Sequence, residues 1–277
     1  MALEDDLAIH YARPTLEQKI LTALKASGKD PQRLTPDDLA PVDEFHVGGR
    51  QATVDLADGM ELRPDMTILD IGCGLGGASR YLAHARGCRV SAIDMAPDFL
   101  RVAASLAARV GLGARVIYRE ASALALPFEE ATFDGATLMH VAMNIVDKAA
   151  MFREVRRVMK PGGVFGVYDI MRVGPGEIAF PVPWATNAST SFVGTPEEYR
   201  RDLQKAGFVV RSERNRRDFG LDYFRALQRR TAEKGVTPLG LHIPMGETAV
   251  RQMVNIFGNI ERGVVAPVEM ICRLERS

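Results

Sequence analysis

Side chains able to move a proton near neutral pH are few in this chain: His10, His46, His84, His140 and His242 are its five histidines. The ordinary pKa of imidazole lies close to neutrality, so it can take a proton from a hydroxyl or ammonium nucleophile. His10 lies near the start of the sequence, and His84 lies in a helical stretch behind a glycine loop; structural or solvated roles are expected for both. His46, His140 and His242 remain as candidate catalytic residues, each in or beside a segment expected to cover a cleft. A second group is acidic. Asp70-Ile71-Gly72-Cys73-Gly74-Leu75-Gly76-Gly77 sets a carboxylate just ahead of a glycine run, and Asp94 follows the run. Glycine tolerates positive φ and lets a ligand approach the backbone, while the helix start beyond offers unpaired N–H groups. The spacing Gly72-x-Gly74-x-x-Gly77 with an acid about 20 residues on also fits the dinucleotide fingerprint. A nicotinamide-dependent oxidoreductase therefore stands as one reading.

These residues need a frame that brings them together. Thr67 to Ile71 reads as a buried strand turning sharply into the helix that follows the glycines. Strands at Arg89–Asp94, Arg115–Tyr118, Thr132–Met139 and Val164–Ile170 alternate with helical patterns, among them one opened by Pro97 and one capped by Asp147. That alternation predicts an α/β, Rossmann-like, mostly parallel sheet with helices on both faces. Ligands of such sheets sit at the carboxyl ends of the strands, so Asp70, Asp94, Ser122 and His140 should line one cleft.

The flanking segments are less regular. Thr15 to Ser27 reads as a helix with a Thr15/Gln18 capping box, and Pro31, Pro36 and Pro41 suggest short turns after it. Phe45-His46-Val47-Gly48-Gly49 precedes another helix. Residues 174–194 form a proline-rich irregular stretch holding Trp184, the one tryptophan. Thr195-Pro196-Glu197-Glu198 is a helix start, with Thr195 as N-cap, Pro196 at the first position and Glu198 closing a capping box. A strand at Phe208–Glu213, helices over Asp222–Glu233 and Glu247–Glu261, and a last strand over Val264–Arg273 complete the pattern. The expected organisation is an N-terminal helical cap over 1–62 and a core over 63–277, with cap insertions at about 174–194 and 234–262.

The ordered series Asp70-x-Gly72-x-Gly74-x-Gly76, Asp94, Leu126-Pro127-Phe128 with Phe133-Asp134, and Arg157-Val158-Met159-Lys160-Pro161-Gly162-Gly163 resembles class I S-adenosylmethionine-dependent methyltransferases. The likeness covers about residues 43 to 170. A weaker one, through Phe45-His46-x-Gly48-Gly49, Pro181-Val182-Pro183-Trp184 and Leu239-Gly240-Leu241-His242, ties the chain to small-molecule members: sarcosine/dimethylglycine N-methyltransferases and ubiquinone methyltransferase-like enzymes. The resemblance implies seven strands with the last antiparallel, and S-adenosyl-L-methionine as cofactor. It implies that Asp70, Gly72, Gly74 and Gly76 pass the methionine part. Asp94 and Met95 would serve the ribose end, Ser122 and Ala123 the adenine, and His140 the neighbourhood of the sulfonium. Ser122 departs from the aspartate common in relatives, which moves adenine contact toward the Ala123 backbone. Phe45, His46, Trp184, His242 and Asn255 are the expected acceptor-pocket residues. An amine nitrogen is favoured as acceptor, with hydroxyl oxygen or carbon as the other options.

Composition narrows the partners. Lys plus Arg and Asp plus Glu number 35 each, so no global field draws the chain to nucleic acid or an anionic membrane. Arg211, Arg214, Arg216 and Arg217 form either a local basic patch or, preferably, a solvated strand edge. Cys73, Cys88 and Cys272 make no CxxC pair, so no metal site is expected. No apolar run suits a signal or a bilayer span, so a soluble, cytoplasmic monomer or homodimer acting on a small molecule is expected. A third function class stays open beside methyltransferase and oxidoreductase: a protein that binds S-adenosylmethionine without turnover.

Overall fold

The computed structural model describes residues 16–275. Helices α1 (Leu16–Ala26), α2 (Pro36–Asp43) and α3 (Gly49–Gly59) precede the sheet. Strands β1 (Thr67–Ile71), β2 (Arg89–Asp94), β3 (Val116–Glu120), β4 (Phe133–Met139) and β5 (Met159–Arg172) alternate with α4 (Gly77–Ala85), α5 (Pro97–Arg109) and α6 (Lys148–Val158). Then come α7 (Pro196–Lys205), β6 (Phe208–Asn215), α8 (Arg217–Lys234), α9 (His242–Met245), α10 (Ala249–Glu261) and β7 (Val265–Leu274).

The seven strands lie in the order β3-β2-β1-β4-β5-β7-β6, with β7 antiparallel to both neighbours. The order reverses between β1 and β4, and their carboxyl ends open the crevice where such sheets bind ligands. Central strands are buried along nearly their whole length, as sheets covered on both faces require. The main core joins Leu138, Phe152, Phe165, Tyr199 and Phe208 across β4, β5, β6, α6 and α7.

Two smaller cores fix the cap. Leu16, Ile20 and Leu24 of α1 pack with Leu39 of α2, Phe99 and Val102 of α5, and Leu239. Val182 and Trp184 pack with Leu221 and Phe224 of α8 and Ile256 of α10. The N-terminal helices and the late insertions thus settle over the same end of the sheet.

Local chemistry explains most boundaries. Asp147 caps α6 by accepting from the Ala150 amide, and Thr195 with Glu198 forms the expected capping box of α7. Two expectations need correction. Pro36 does not merely break the chain: Thr35 and Asp38 form a second capping box, and Pro36 stands in the first turn, where its missing N–H costs nothing. The fifth strand runs over Met159–Arg172 rather than Val164–Ile170, with Lys160–Gly163 as a bulge, because Phe133 pairs Met159 while Gly135 already pairs Val164. The Thr15/Gln18 cap and His10 lie outside the described residues.

Candidate functional site

The glycine loop is tied to its neighbours by the backbone. Gly72 and Cys73 both donate to the Ile93 carbonyl at 2.8 and 2.9 Å. Gly74 donates to Oδ2 of Asp94 at 2.8 Å, and Ala96 donates to Oδ1 at 3.0 Å. Asp94 therefore spends one lone pair of each oxygen on the chain and keeps others for a ligand. Gly72, Gly74 and Gly76 all have positive φ. A Cβ on Gly72 would strike Val141 and one on Gly76 would strike Tyr118, but a Cβ on Gly74 would meet nothing within 4 Å. Packing explains the outer two glycines; open cleft explains the middle one.

Asp70 stands beneath this loop with both oxygens engaged, by Ser79 Oγ and by Thr137 Oγ1. Burial raises its pKa against those two hydrogen bonds, and burial likewise raises that of Asp94 against its backbone amides. Asp70 thus ties β1 to α4 and β4 at the wall of the cleft. Arg80, fully buried, pairs with Asp43 and donates to the Leu75 and Ala103 carbonyls, which anchors the end of α2 to α4.

The cleft above the loop measures about 490 Å³ and is lined by Asp70, Gly72, Gly74, Asp94, Met95, Ser122, Ala123, Phe45, His46 and His140, among others. These sequence-selected residues do converge. Ser122 Oγ accepts from the Leu124 amide at 3.1 Å, so part of its hydrogen-bonding capacity holds its own turn. A second chamber, about 30 Å³, shares Phe45, His46 and His140 with the cleft and is otherwise walled by Trp184, Tyr223, Phe224, Met245 and other apolar side chains. Among the described residues, no Asp, Glu, Lys or Arg lines it.

The shared wall is built around two histidines with ring centroids 5.9 Å apart. His140 has φ +56°, a left-handed conformation uncommon for a side-chain-bearing residue. Its amide donates to the Tyr168 carbonyl at 2.8 Å, and its ring stacks on Tyr168 at 5.3 Å. Nε2 of His140 is buried with no hydrogen-bond partner among the described residues. Burial holds this imidazole well below its ordinary pKa, with His46 adding to the effect. Burial also lowers His46, to about 4. Both rings are therefore neutral at neutral pH.

Trp184 is buried in the chamber wall, its Nε1 donating to Ser191 Oγ. His242 is exposed and lines neither space, while its neighbours Leu241 and Met245 do. Asn255 donates to the Pro181 carbonyl at 2.9 Å and holds the insertion rather than facing either space. Sequence reasoning missed Glu44, Thr53 and Tyr168, which surround the histidines. Only their place beside the Phe45-His46-x-Gly48-Gly49 stretch could have flagged the first two. The arginines at the β6–β7 edge make neither a free patch nor a plain solvated edge. Arg214 and Arg216 pair with buried Glu269, Arg216 also with Asp55, and Arg217 donates to the Ile260 and Glu261 carbonyls.

Residues 69–167 match the methyltransferase domain family. The chain is 31% identical over 200 residues to the erythromycin 3''-O-methyltransferase of Saccharopolyspora erythraea, covering 66% of this chain and 65% of that protein. It is 28% identical over 148 residues to the sarcosine/dimethylglycine N-methyltransferase of Halorhodospira halochloris, covering 53% of each. Residues 69–167 thus carry the match to a methyltransferase domain, and these relatives of the chain are methyltransferases. The match spans less than two thirds of the length of these methyltransferase relatives. In fold, the chain resembles geranyl diphosphate C-methyltransferase from Streptomyces coelicolor A3(2), with TM-score 0.70, 18% identity, and 100% and 99% of the two chains covered. The cyclase SpnF shares the fold as well, with TM-score 0.61, 19% identity and 94% of each chain covered. Among the described residues, no group of His, Cys, Asp and Glu is placed to hold a metal, and no helix is long and apolar enough to cross a membrane.

Proposed function

We propose that this chain transfers a methyl group from S-adenosylmethionine to a neutral amine or hydroxyl on an otherwise apolar small molecule. The observation that carries the reading is the junction of two spaces. A cleft built on a glycine loop and Asp94 meets an uncharged aromatic chamber, and Phe45, His46 and His140 belong to both. The residues present fit the cofactor: the open side of Gly74 admits a close approach, and Asp94 retains lone pairs for two ribose hydroxyls. Gly72, Gly74 and Gly76 would flank the methionine part, with Met95, Ser122 and Ala123 around the nucleoside. The bound cofactor supplies an electrophilic methyl group on a sulfonium.

The chain's own contribution is positioning, dry surroundings and a place for one proton. In-line displacement gains chiefly from holding donor and acceptor in reach. Phe45 and Trp184 present flat apolar faces to the acceptor, and the buried Nε2 of His140 gives it a polar contact. His46 and His140, both neutral, can take the proton that an amine or hydroxyl releases. His242 and Asn255 act on the cap's shape rather than on the acceptor. Support for the substrate class comes from the apolar lining of the chamber among the described residues and from the likeness to the erythromycin 3''-O-methyltransferase. The chain is read as a soluble cytoplasmic protein, monomeric or dimeric.

Calorimetry with S-adenosylhomocysteine and with NAD tests the cofactor; the first should bind and the second should not. Incubation with methyl-labelled S-adenosylmethionine and a metabolite extract should then label a small, weakly polar product. Binding of NAD alone overturns the reading in favour of an oxidoreductase. Intact methyl donor after long incubation with the extract overturns it in favour of a protein that binds without turnover.

A further inference from the structure

A neutral histidine carries its proton on one of two nitrogens, and its surroundings decide which. Nε2 of His46 is faced by three oxygens. The Gly49 carbonyl lies at 3.1 Å, Thr53 Oγ1 at 3.1 Å and Glu44 Oε2 at 3.4 Å. A carbonyl and a carboxylate only accept. Thr53 has one hydroxyl hydrogen, and its 2.6 Å bond to Glu44 Oε2 is far shorter than its 4.0 Å contact to Met139 Sδ. A charge-assisted bond of that length claims the hydrogen. Thr53 then offers His46 a lone pair, and every partner of Nε2 requires a hydrogen there.

We propose that Glu44 and Thr53 are positioning residues that hold His46 in its Nε2–H form, leaving the Nδ1 lone pair to receive the acceptor's proton. This rests on the methyl-transfer reading only for what arrives at Nδ1. There the acceptor's N–H or O–H bond breaks and its proton moves to Nδ1. The acceptor's electron pair forms the bond to the methyl carbon, and the pair of the broken carbon–sulfur bond stays on sulfur. The imidazolium then returns the proton to solvent.

The groups facing this cluster come from several elements. Arg50 of α3 pairs with Glu44 Oε1 at 2.8 Å, and Asp43 and Arg80 also act on Glu44. Tyr223 of α8 senses the Glu44 charge, and His140 and Tyr168 stand edge-on to His46. Burial outweighs Arg50 and lifts Glu44 to about 7. The carboxylate that claims the Thr53 hydrogen is thus present above about pH 7 and is lost as pH falls. His46 stays neutral throughout that window, so any change in its tautomer near pH 7 belongs to Glu44.

The test is long-range proton–nitrogen NMR on the whole chain labelled with 15N-histidine, with His46 assigned by loss of its signals in His46→Gln. At pH 8 the parent should show a protonated Nε2 and a bare Nδ1. Thr53→Val, nearly the same in shape, should raise the Nδ1–H share roughly tenfold, and Thr53→Ser should restore the parent pattern. Glu44→Gln should remove any pH dependence of the tautomer ratio between pH 6 and 8. A parent His46 with its proton on Nδ1 overturns the proposal, as does a Thr53→Val variant with an unchanged ratio. The readout needs neither cofactor nor acceptor. A held tautomer in a chain that fails to bind S-adenosylhomocysteine would sink the methyl-transfer reading and leave the hydrogen-bond assignment standing.

Discussion

On the proposed reading, Asp94 is the residue through which the loop and the ligand compete for one carboxylate. Its bonds to the Gly74 and Ala96 amides shape the cleft before anything enters, so removing it harms both the loop and the binding. Asp94→Ala should lower affinity for S-adenosylhomocysteine by tenfold or more, on the order of the 1.5–3 kcal/mol of a charged hydrogen bond. Calorimetry that finds parent affinity would remove Asp94 from the site. Gly74 makes a sharper test, because the folded chain has room for a Cβ there. Gly74→Ala should cost about 1–2 kcal/mol of stability through its left-handed φ, visible as a lower melting temperature. Its loss of cofactor affinity should exceed tenfold, since the new methyl group occupies the ligand's approach; unchanged affinity would mean the ligand passes elsewhere. Residue identity made Asp94 and Gly74 legible from sequence. Glu44 and Thr53 were not, because their importance lies in oxygens gathered around another side chain.

At the scale of elements, the strand ends do more than end strands. Asp169 on β5 is fully buried and accepts from the Met143 amide, the Tyr199 hydroxyl and the Ile170 amide. It thereby holds the turn after β4 that carries Asn144 and Ile145 into the cleft wall. Burial still prevails, and its pKa is pushed up to about 6. The folded state thus binds a proton that the unfolded chain has released, and the stability this brings is lost as pH rises from about 4 through about 6. Asp169→Asn cannot titrate. Its stability relative to the parent should therefore improve by up to about 3 kcal/mol between pH 4 and pH 7, as followed by denaturant melts. A constant difference across that range would show that Asp169 is ionised throughout. The sequence made the alternating elements readable because periodicity and capping are local. It hid α2, although Thr35-Pro36-Asp37-Asp38 carries the same signature as Thr195-Pro196-Glu197-Glu198, because three nearby prolines suggested turns.

For the whole molecule, the proposed reading divides labour between a sheet that holds a ligand from below and a cap that closes from above. The cap draws on α1, the 174–194 stretch, α8 and α10, which are distant in sequence and meet only in the fold. That is why the placing of His242 was not legible: its helix is present, but the short turn of α9 turns the imidazole outward and Leu241 and Met245 inward. Trp184→Ala should lower methyl transfer at least tenfold on an identified acceptor while changing S-adenosylhomocysteine affinity less than twofold, because the Trp184 side chain lines the upper chamber, while its link to cleft residue Asn144 runs through a backbone carbonyl that alanine keeps. Equal losses in both would mean the cap and cleft fold as one unit and cannot be tuned apart.

The strand order also says something about time. β7 follows every other strand in sequence, yet it lies between β5 and β6 and supplies the hydrogen-bonded neighbours of both. During synthesis β5 must wait with an unpaired, apolar edge, and β6 has no partner at all until Val265–Leu274 has emerged. Strand edges of that kind invite pairing between chains. The sheet thus stays unsealed until β7 is made, and that strand closes it from the inside.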